Sequence, residues 1–122
     1  MALTIITVDD SRTMRDMVSY TLKEAGYNVL EAEDGQQALS VLNGQKADVV
    51  ITDLNMPNMD GIELIKSLRA QNDYRATPIL MLTTESDDAK KNAGREAGAT
   101  GWIVKPFNPE KLLSVVKKVA GA

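Results

Sequence analysis

Hydrophobic and polar positions along this chain define two kinds of segment that alternate. Short apolar runs rich in Val and Ile are each followed by a longer stretch whose hydrophobic residues recur at helical spacing. The predicted strands are Leu3–Val8, Val29–Ala32, Val49–Thr52, Ile79–Leu82 and Trp102–Val104. Because strands that alternate with helices form parallel sheets covered on both faces, the pattern predicts an α/β fold of five βα units.

Capping residues mark where the five predicted helices begin. Ser11, Asp34 and Asp60 precede the first three helices, the fourth starts near Ser86, and the fifth starts at Asn108-Pro109. Two of these caps are typical of capping boxes, because Gln37 and Glu63 stand three residues beyond their acids.

Two helices have faces that bear on packing. The first helix ends before Gly26, and its predicted inner face comprises Met14, Met17, Val18, Thr21, Leu22 and Ala25. The fourth ends before Gly98, and its apolar face comprises only alanines, with Gly94 inside the helix. Alanines bury little area and a mid-helix glycine is unfavourable, so we expect this helix to be easy to displace.

Composition narrows the available chemistry. The 122 residues fit one domain, and they include no cysteine and no histidine. Disulfides, thiolate ligands and imidazole bases within the chain are therefore excluded. The net charge of −3 does not indicate a nucleic-acid-binding protein, which normally has a basic stripe. The N-terminus resembles neither a signal peptide nor a membrane span, so we expect a cytoplasmic protein without a membrane association.

Chemically active side chains follow four of the five predicted strands. They are Asp9-Asp10 after the first, Asp53 and Asn55 after the third, Thr83-Thr84-Glu85 after the fourth and Lys105-Pro106 after the fifth. Each alone has an ordinary explanation, such as a helix start or a turn. Because ligands bind beyond the carboxyl ends of parallel strands, their joint occurrence predicts one shared site.

The acids of this site require a cation. Three neighbouring carboxylates are unfavourable without neutralisation, and oxygen ligands without His or Cys select Mg²⁺, Mn²⁺ or Ca²⁺. Mg²⁺ binds one or two carboxylates and leaves room for a phosphate oxygen, which Asp9 or Asp10 together with Asp53 would satisfy. Lys105 and Thr83 would then hold a phosphoryl group, and a carboxylate would accept it.

These residues resemble a known family. The segments VDDSRTMRDMV, ITDLNMPNMDG, PILMLTTES and GWIVKPF are similar, in order and spacing, to the motifs of the receiver domain of two-component response regulators. The similarity is greatest to the stand-alone CheY type of bacterial chemotaxis and extends from about Leu3 to Val119. It implies a flavodoxin-like doubly wound fold with strand order 2-1-3-4-5, and a single receiver domain over residues 1–122 without an output domain.

The resemblance also implies residue roles. Asp53 would be the phosphoacceptor, and Mg²⁺, with Mn²⁺ as a substitute, would bind Asp9, Asp10, Asp53 and the carbonyl of Asn55. Thr83, Thr84 and Lys105 would contact the phosphoryl group, Asn55 and Glu85 would tune hydrolysis, and Pro106 would follow a cis peptide bond. Thr83 and Trp102 would be the switch residues, although Trp102 is also explained as a core aromatic residue.

Partners and output follow from the same resemblance. A histidine kinase of the CheA type would donate the phosphoryl group, and the flagellar motor switch would bind the phosphorylated monomer. Lys90, Lys91, Trp102, Lys117 and Lys118 would line the partner surface, although solvated lysines are an equally good interpretation. The protein would catalyse only its own phosphorylation and dephosphorylation.

Other functions remain open at the level of sequence. Within the family, a phosphorelay intermediate or a phosphate sink fits the same motifs. A haloacid-dehalogenase-like phosphatase also has an aspartate after a parallel strand, but it needs a second acid where this chain has Asn55. A flavodoxin-type flavin module needs a phosphate loop where Asp9-Asp10 would repel the ligand.

Overall fold

Five parallel strands alternate with five helices in the computed structural model, which describes residues 3–54, 56, 58–84, 88–105 and 108–120. The strands are β1 Thr4–Val8, β2 Asn28–Ala32, β3 Val49–Asp53, β4 Ile79–Thr84 and β5 Gly101–Lys105. The helices are α1 Arg12–Glu24, α2 Gly35–Gly44, α3 Gly61–Arg69, α4 Asp88–Ala97 and α5 Pro109–Ala120, and a short 3-10 helix spans Asn72–Tyr74. The predicted elements are confirmed, with small differences at their ends.

The strands form one sheet in the order β2-β1-β3-β4-β5, and every neighbouring pair is parallel. The predicted fold class is therefore confirmed. Because all five strands run the same way, their carboxyl ends lie along a single edge of the sheet. Among the described residues, no helix combines the length and apolar character needed to cross a bilayer.

Side-chain caps fix the starts of the helices. The capping box predicted at Asp60 is present, with the Asp60 carboxylate accepting from the Glu63 amide at 2.9 Å. At α2 the Gln37 amide donates to Asp34 at 2.8 Å, but the Gln37 side chain accepts from the Glu33 amide. In a capping box the Gln37 side chain would accept from the amide of the N-cap Asp34. Here it accepts from the amide of the preceding residue, Glu33, just after β2.

A hydrophobic core covers each face of the sheet. Ile5 and Ile51 belong to the cluster that packs under α1 and α5, whereas Ile6 and Val50 belong to the cluster under α2 and α3. Strand β3 is buried at all five positions, including its terminal Asp53. Burial of both faces explains the continuous apolar run that marks this strand in the sequence.

Two residues predicted on the inner face of α1, Met17 and Ala25, are instead exposed. Met17 was expected on the inner face of α1, but it is 49% exposed. The buried stripe of α1 comprises Val18, Ser19 and Leu22, so Met17 lies beside it and faces solvent. Met17 instead lines a groove of about 490 Å³ together with Tyr20 of α1 and Leu113 of α5.

Helix α4 lies unusually close to the sheet. A Cβ atom built on Gly94 would lie 2.0 Å from Met81 Sδ, so a larger residue at this position would require the flexible end of the Met81 side chain to move. Met81 is paired in register with Trp102 of β5. Gly94 is therefore a point of close contact between α4 and β4, a role that its low helix propensity alone did not indicate.

Candidate functional site

Three carboxylates meet where β1 and β3 end. Asp9 and Asp10 follow β1, and Asp53 is the last residue of β3. One oxygen from each lies within 4.8 Å of the others. Asp9 is fully buried, Asp53 is 8% exposed, and Asp10 is open to solvent, so the cluster is deep on one side and accessible on the other.

Lys105, the last residue of β5, points its ammonium group into this cluster. Its Nζ atom lies 3.1 Å from Asp53 Oδ1 and 3.4 Å from Asp9 Oδ2. The sheet order accounts for the geometry, since β3 lies next to β1 and only β4 separates β3 from β5. The lysine thus neutralises part of the negative charge of the two buried acids.

Backbone groups hold both buried acids in place. Asp53 Oδ1 accepts a hydrogen bond from the Leu54 amide at 2.9 Å. Asp9 Oδ1 accepts one from the amide of Ser11, the N-cap of α1, at 2.9 Å. Each carboxylate therefore has one oxygen engaged by an N–H group and a defined orientation.

Burial raises the pKa of the Asp53 carboxyl above its usual value. The negative charge of Asp9 acts in the same direction, whereas Lys105 and the Leu54 amide lower the pKa. The increase shows that Lys105 compensates the buried charge incompletely. A site with this residual negative charge is suited to a further cation.

The donor set fits a hard divalent cation. Asp9 Oδ2 is buried and has no hydrogen-bond partner in the described part of the chain, its contact with Lys105 being an ion pair. An orphaned carboxylate oxygen beside two further carboxylates is an oxygen-only ligand set of the kind that Mg²⁺ selects.

Several residues predicted for the site are described in part or not at all. The backbones of Thr83 and Thr84 pair with Val104 and Lys105, which places them at the same sheet edge, but their side chains lie outside the described part of the structure. The predicted positions Asn55, Glu85 and Pro106 lie outside the described residues altogether.

Two cations of α4 lie over the ring of Trp102. Lys91 Nζ is 5.1 Å from the centroid of the indole, and the Arg95 guanidinium is 5.0 Å from it. These two residues are one helical turn apart, with Gly94 between them on the side that faces the sheet. The ring also packs against the core cluster on this face of the sheet.

Lys117 and Lys118 are exposed in the last turn of α5.

The sequence did not indicate Arg15, which contacts the acidic cluster from the β2 side. Its Nη1 atom donates to the Asp9 carbonyl at 2.7 Å, and other guanidinium nitrogens lie 3.4 Å from Glu31 and 3.9 Å from Glu33. One signal was present in the sequence. Glu31 on β2 and Glu33 directly after it stand two residues apart, and the arginine is one turn beyond the Ser11 cap.

Comparisons with known proteins agree with this geometry. Residues 5–117 match the family model described as the response regulator receiver domain. The chain is 43% identical over 119 residues to the chemotaxis protein CheY1 of Helicobacter pylori, covering 96% of each protein. The structure of the chemotaxis response regulator CheY4 of Vibrio cholerae superposes with a TM-score of 0.93 at 50% identity, covering 98% of this chain and 99% of that one.

The chain therefore belongs to the response regulator receiver domain family, the phosphoacceptor modules of two-component systems. Within it, the chain is of the CheY chemotaxis type. A third relative is the receiver domain of the sensor histidine kinase PA1611 from Pseudomonas aeruginosa, which is 26% identical with a TM-score of 0.92 and full coverage of both chains. Its crystal structure has a magnesium ion coordinated in the active site cleft.

Proposed function

We propose that this protein takes a phosphoryl group from a phosphohistidine of a CheA-type kinase onto Asp53, in a Mg²⁺-dependent reaction. The phosphorylated monomer then changes its affinity for a partner, which we assign as the flagellar motor switch. Activity is limited to its own phosphorylation and dephosphorylation, within a single receiver domain. The arrangement of Lys105 between Asp9 and Asp53, at 3.4 and 3.1 Å, is the observation that carries the proposal.

The nucleophile is a carboxylate oxygen of Asp53. Because Oδ1 already accepts from Leu54 and faces Lys105, we assign the attack to Oδ2. A new P–O bond forms on this oxygen, the P–N bond of the phosphohistidine breaks, and its electron pair returns to the donor imidazole. The product is an acyl phosphate on Asp53.

The remaining residues of the cluster stabilise the transferred charge. Mg²⁺, when bound by Asp9, Asp10, Asp53 and the Asn55 carbonyl, supplies positive charge to the phosphoryl oxygens. The Lys105 ammonium group moves from the two carboxylates toward the new phosphoryl oxygens.

Residues at the ends of β4 and β5 complete the proposed site. The hydroxyl groups of Thr83 and Thr84 donate to the phosphoryl group, while Asn55 and Glu85 tune hydrolysis through water access. By its place in the family's Lys-Pro motif, Pro106 is assigned as the residue after a cis peptide bond. These roles rest on the family's motifs at the matching positions.

The switch surface is formed by α4, β5 and α5. Thr83 moves toward the phosphoryl group, and the neighbouring Trp102 repacks against α4. The two cation contacts on the indole support a coupling of this kind, because a change in the ring position alters both Lys91 and Arg95. Lys90, Lys91, Trp102, Lys117 and Lys118 then present a changed face to the partner.

Phosphorylation with a small-molecule donor tests the core of the proposal. Wild-type protein incubated with Mg²⁺ and acetyl phosphate should gain the mass of one phosphoryl group, and the fluorescence of Trp102, the single tryptophan, should change. The Asp53→Asn variant should keep the fold and lose both responses. Asp73→Asn is the matched control, because it removes an aspartate from the 3-10 helix before β4. A phosphoryl group on the Asp53→Asn protein would contradict the assignment.

Partner binding separates the motor regulator from its alternatives. Purified phosphorylated protein should bind the motor switch protein more tightly than the unphosphorylated form does. A phosphorelay intermediate or a phosphate sink would instead bind only the histidine phosphotransfer proteins. Sustained turnover of a generic phosphomonoester would identify a phosphatase and overturn the receiver assignment.

A further inference from the structure

Of the two arginines in α1, Arg15 is the one that contacts the site, through the Asp9 carbonyl. It lies in the first turn of α1 with its side chain only 11% exposed. Its backbone amide donates to the carbonyl of the N-cap Ser11 at 2.9 Å, which fixes its height along the helix. The guanidinium therefore enters the gap between α1 and the carboxyl end of β2.

The acceptors of the guanidinium lie at the carboxyl ends of two different strands. Glu31 lies on β2, and Glu33 immediately follows it, whereas the Asp9 carbonyl lies just beyond β1. The Asp9 amide in turn donates to the Ala32 carbonyl at 3.1 Å, which ties the chain leaving β1 to the end of β2. The peptide units before and after the Asp9 Cα atom are thus each held by one hydrogen bond, and the Asp9–Asp10 unit is the one held by Arg15.

This peptide bond determines where Asp10 points. Asp9 is fixed by burial and by its own contacts, but Asp10 is exposed, and its direction depends on the backbone that carries it. The carbonyl oxygen that accepts from Arg15 and the Asp10 amide belong to the same planar unit. A donor at 2.7 Å on that oxygen therefore restricts the orientation of the Asp10 carboxylate.

Two glutamates beside Arg15 reduce the repulsion that its positive charge would exert on a cation. An arginine near a cation site would ordinarily repel the cation. Glu31 and Glu33 lie 3.4 and 3.9 Å from the guanidinium, so their carboxylates offset its charge while its hydrogen-bonding geometry is retained. The group can position the backbone without a net positive charge beside the acids.

We propose that Arg15 is a positioning residue for the Mg²⁺ site, because its hydrogen bond to the Asp9 carbonyl preorients the Asp10 carboxylate. The inference deepens the proposed function and rests on the metal site assigned there. A purely structural role, tying α1 to β2, would affect the free energy of unfolding but would leave Mg²⁺ affinity unchanged.

A calorimetric titration of metal-free protein with Mg²⁺, at fixed ionic strength, tests this role. Arg15→Gln should weaken Mg²⁺ binding about tenfold, as is typical when a group that orients a metal ligand is lost. Arg12→Gln is the matched control, since Arg12 lies on the same helix, carries the same charge and is 86% exposed. Its Mg²⁺ affinity should stay within about twofold of wild type.

The direction of the change distinguishes positioning from charge. Removing a cation near the site should strengthen Mg²⁺ binding if only the electrostatic field matters. Equal or tighter binding by Arg15→Gln would therefore overturn the inference. A lack of Mg²⁺ binding to the wild-type protein would instead overturn the metal site of the proposed function, and the inference with it.

A second variant tests the role if Arg15→Gln does not fold. Arg15→Lys retains the charge but lacks the planar fork, so it cannot reach the carbonyl and both glutamates at once. Its Mg²⁺ affinity should remain below that of wild type while its stability in chelator is close to wild type. Wild-type affinity in Arg15→Lys would show that the fork is not needed and would overturn the inference.

Discussion

Gly61 lies against the backbone of Asp53, and a Cβ atom built on Gly61 would be 2.3 Å from the Asp53 carbonyl oxygen. The Gly61 amide also donates to the Leu54 carbonyl at 3.0 Å, so the start of α3 is bound to the end of β3. Because the neighbouring atoms are backbone, the contact has little room to relax. The position of Asp53, the proposed phosphoacceptor, thus depends on the absence of a side chain eight residues further along.

We expect Gly61→Ala to displace the end of β3. The overpacking should lower the free energy of unfolding by about 1–3 kcal/mol and slow phosphorylation by acetyl phosphate. Gly44→Ala is the matched control, because nothing lies within 4 Å of a Cβ atom built there. The control should be neutral or slightly more stable than wild type. Wild-type phosphorylation kinetics in Gly61→Ala would show that the contact does not position Asp53.

Charge at Asp53 should destabilise the metal-free fold. Burial and the charge of Asp9 raise the pKa of Asp53, so the native state binds this proton more tightly than the unfolded chain does. The stabilising proton is present at low pH and is lost as pH rises from about 4 through the raised pKa. In chelator at neutral pH, Asp53→Asn should therefore have a higher denaturation midpoint than wild type.

The difference in midpoint between Asp53→Asn and wild type should shrink as pH falls, and it should also shrink when Mg²⁺ is added to the wild-type protein. Urea titrations at several pH values, with and without Mg²⁺, measure both effects. A variant that is less stable than wild type in chelator at neutral pH would mean that Lys105 more than compensates the buried charge.

The Trp102 ring and the Arg95 guanidinium should be energetically coupled. Cation–π contacts at partly exposed positions contribute about 0.5–1 kcal/mol each. A double-mutant cycle with Arg95→Gln and Trp102→Leu should give a coupling free energy of that size, because the leucine removes the aromatic face. The same cycle with Lys117→Gln, on α5, should give a coupling near zero. Equal couplings in the two cycles would exclude a specific contact.

Arg69 connects the end of α3 to two other segments. Its Nε atom donates to the Gly98 carbonyl at 2.9 Å, and its Nη1 atom donates to the Thr77 carbonyl at 2.7 Å and to the Tyr74 carbonyl. Arg69→Lys keeps the charge but cannot satisfy these carbonyls together. We expect it to lower the free energy of unfolding by about 2–3 kcal/mol, measured by urea titration.

Arg75 provides the control for Arg69, because it is an exposed arginine in the same region. Arg75→Lys should change the free energy of unfolding by less than about 0.5 kcal/mol. Equal losses in the two variants would mean that the loss at Arg69 reflects lysine itself rather than the four carbonyl contacts.

The architecture was predictable from sequence because it depends on local signals. The β3 run is apolar on both faces, and caps such as Asp60 fix the helix starts through neighbours three residues away. Likewise, parallel strands bring their carboxyl ends to one edge, so Asp9, Asp53 and Lys105 could be grouped without coordinates. These inferences need only periodicity and strand direction.

Contacts between residues distant in sequence were beyond that reasoning. Arg69 is 29 residues from Gly98, and nothing local marks it as a donor to four carbonyls. Met17 was placed in the core because its helical spacing fits, yet the width of the buried stripe is decided by the neighbouring elements. Gly94 was interpreted through propensity alone, whereas its partner Met81 is on another element.

The contact between Gly94 and Met81 has a mechanical consequence for α4. The helix rests on a thioether, an unbranched side chain that changes rotamer easily, and no side chain of its own intervenes at that point. A β-branched residue such as Val or Ile has fewer accessible rotamers and would hold the helix in one position. If α4 is displaced, we expect the Met81 side chain to change rotamer and to keep the space beneath the helix filled. We therefore expect Met81 to support α4 at this point without fixing its position on the sheet.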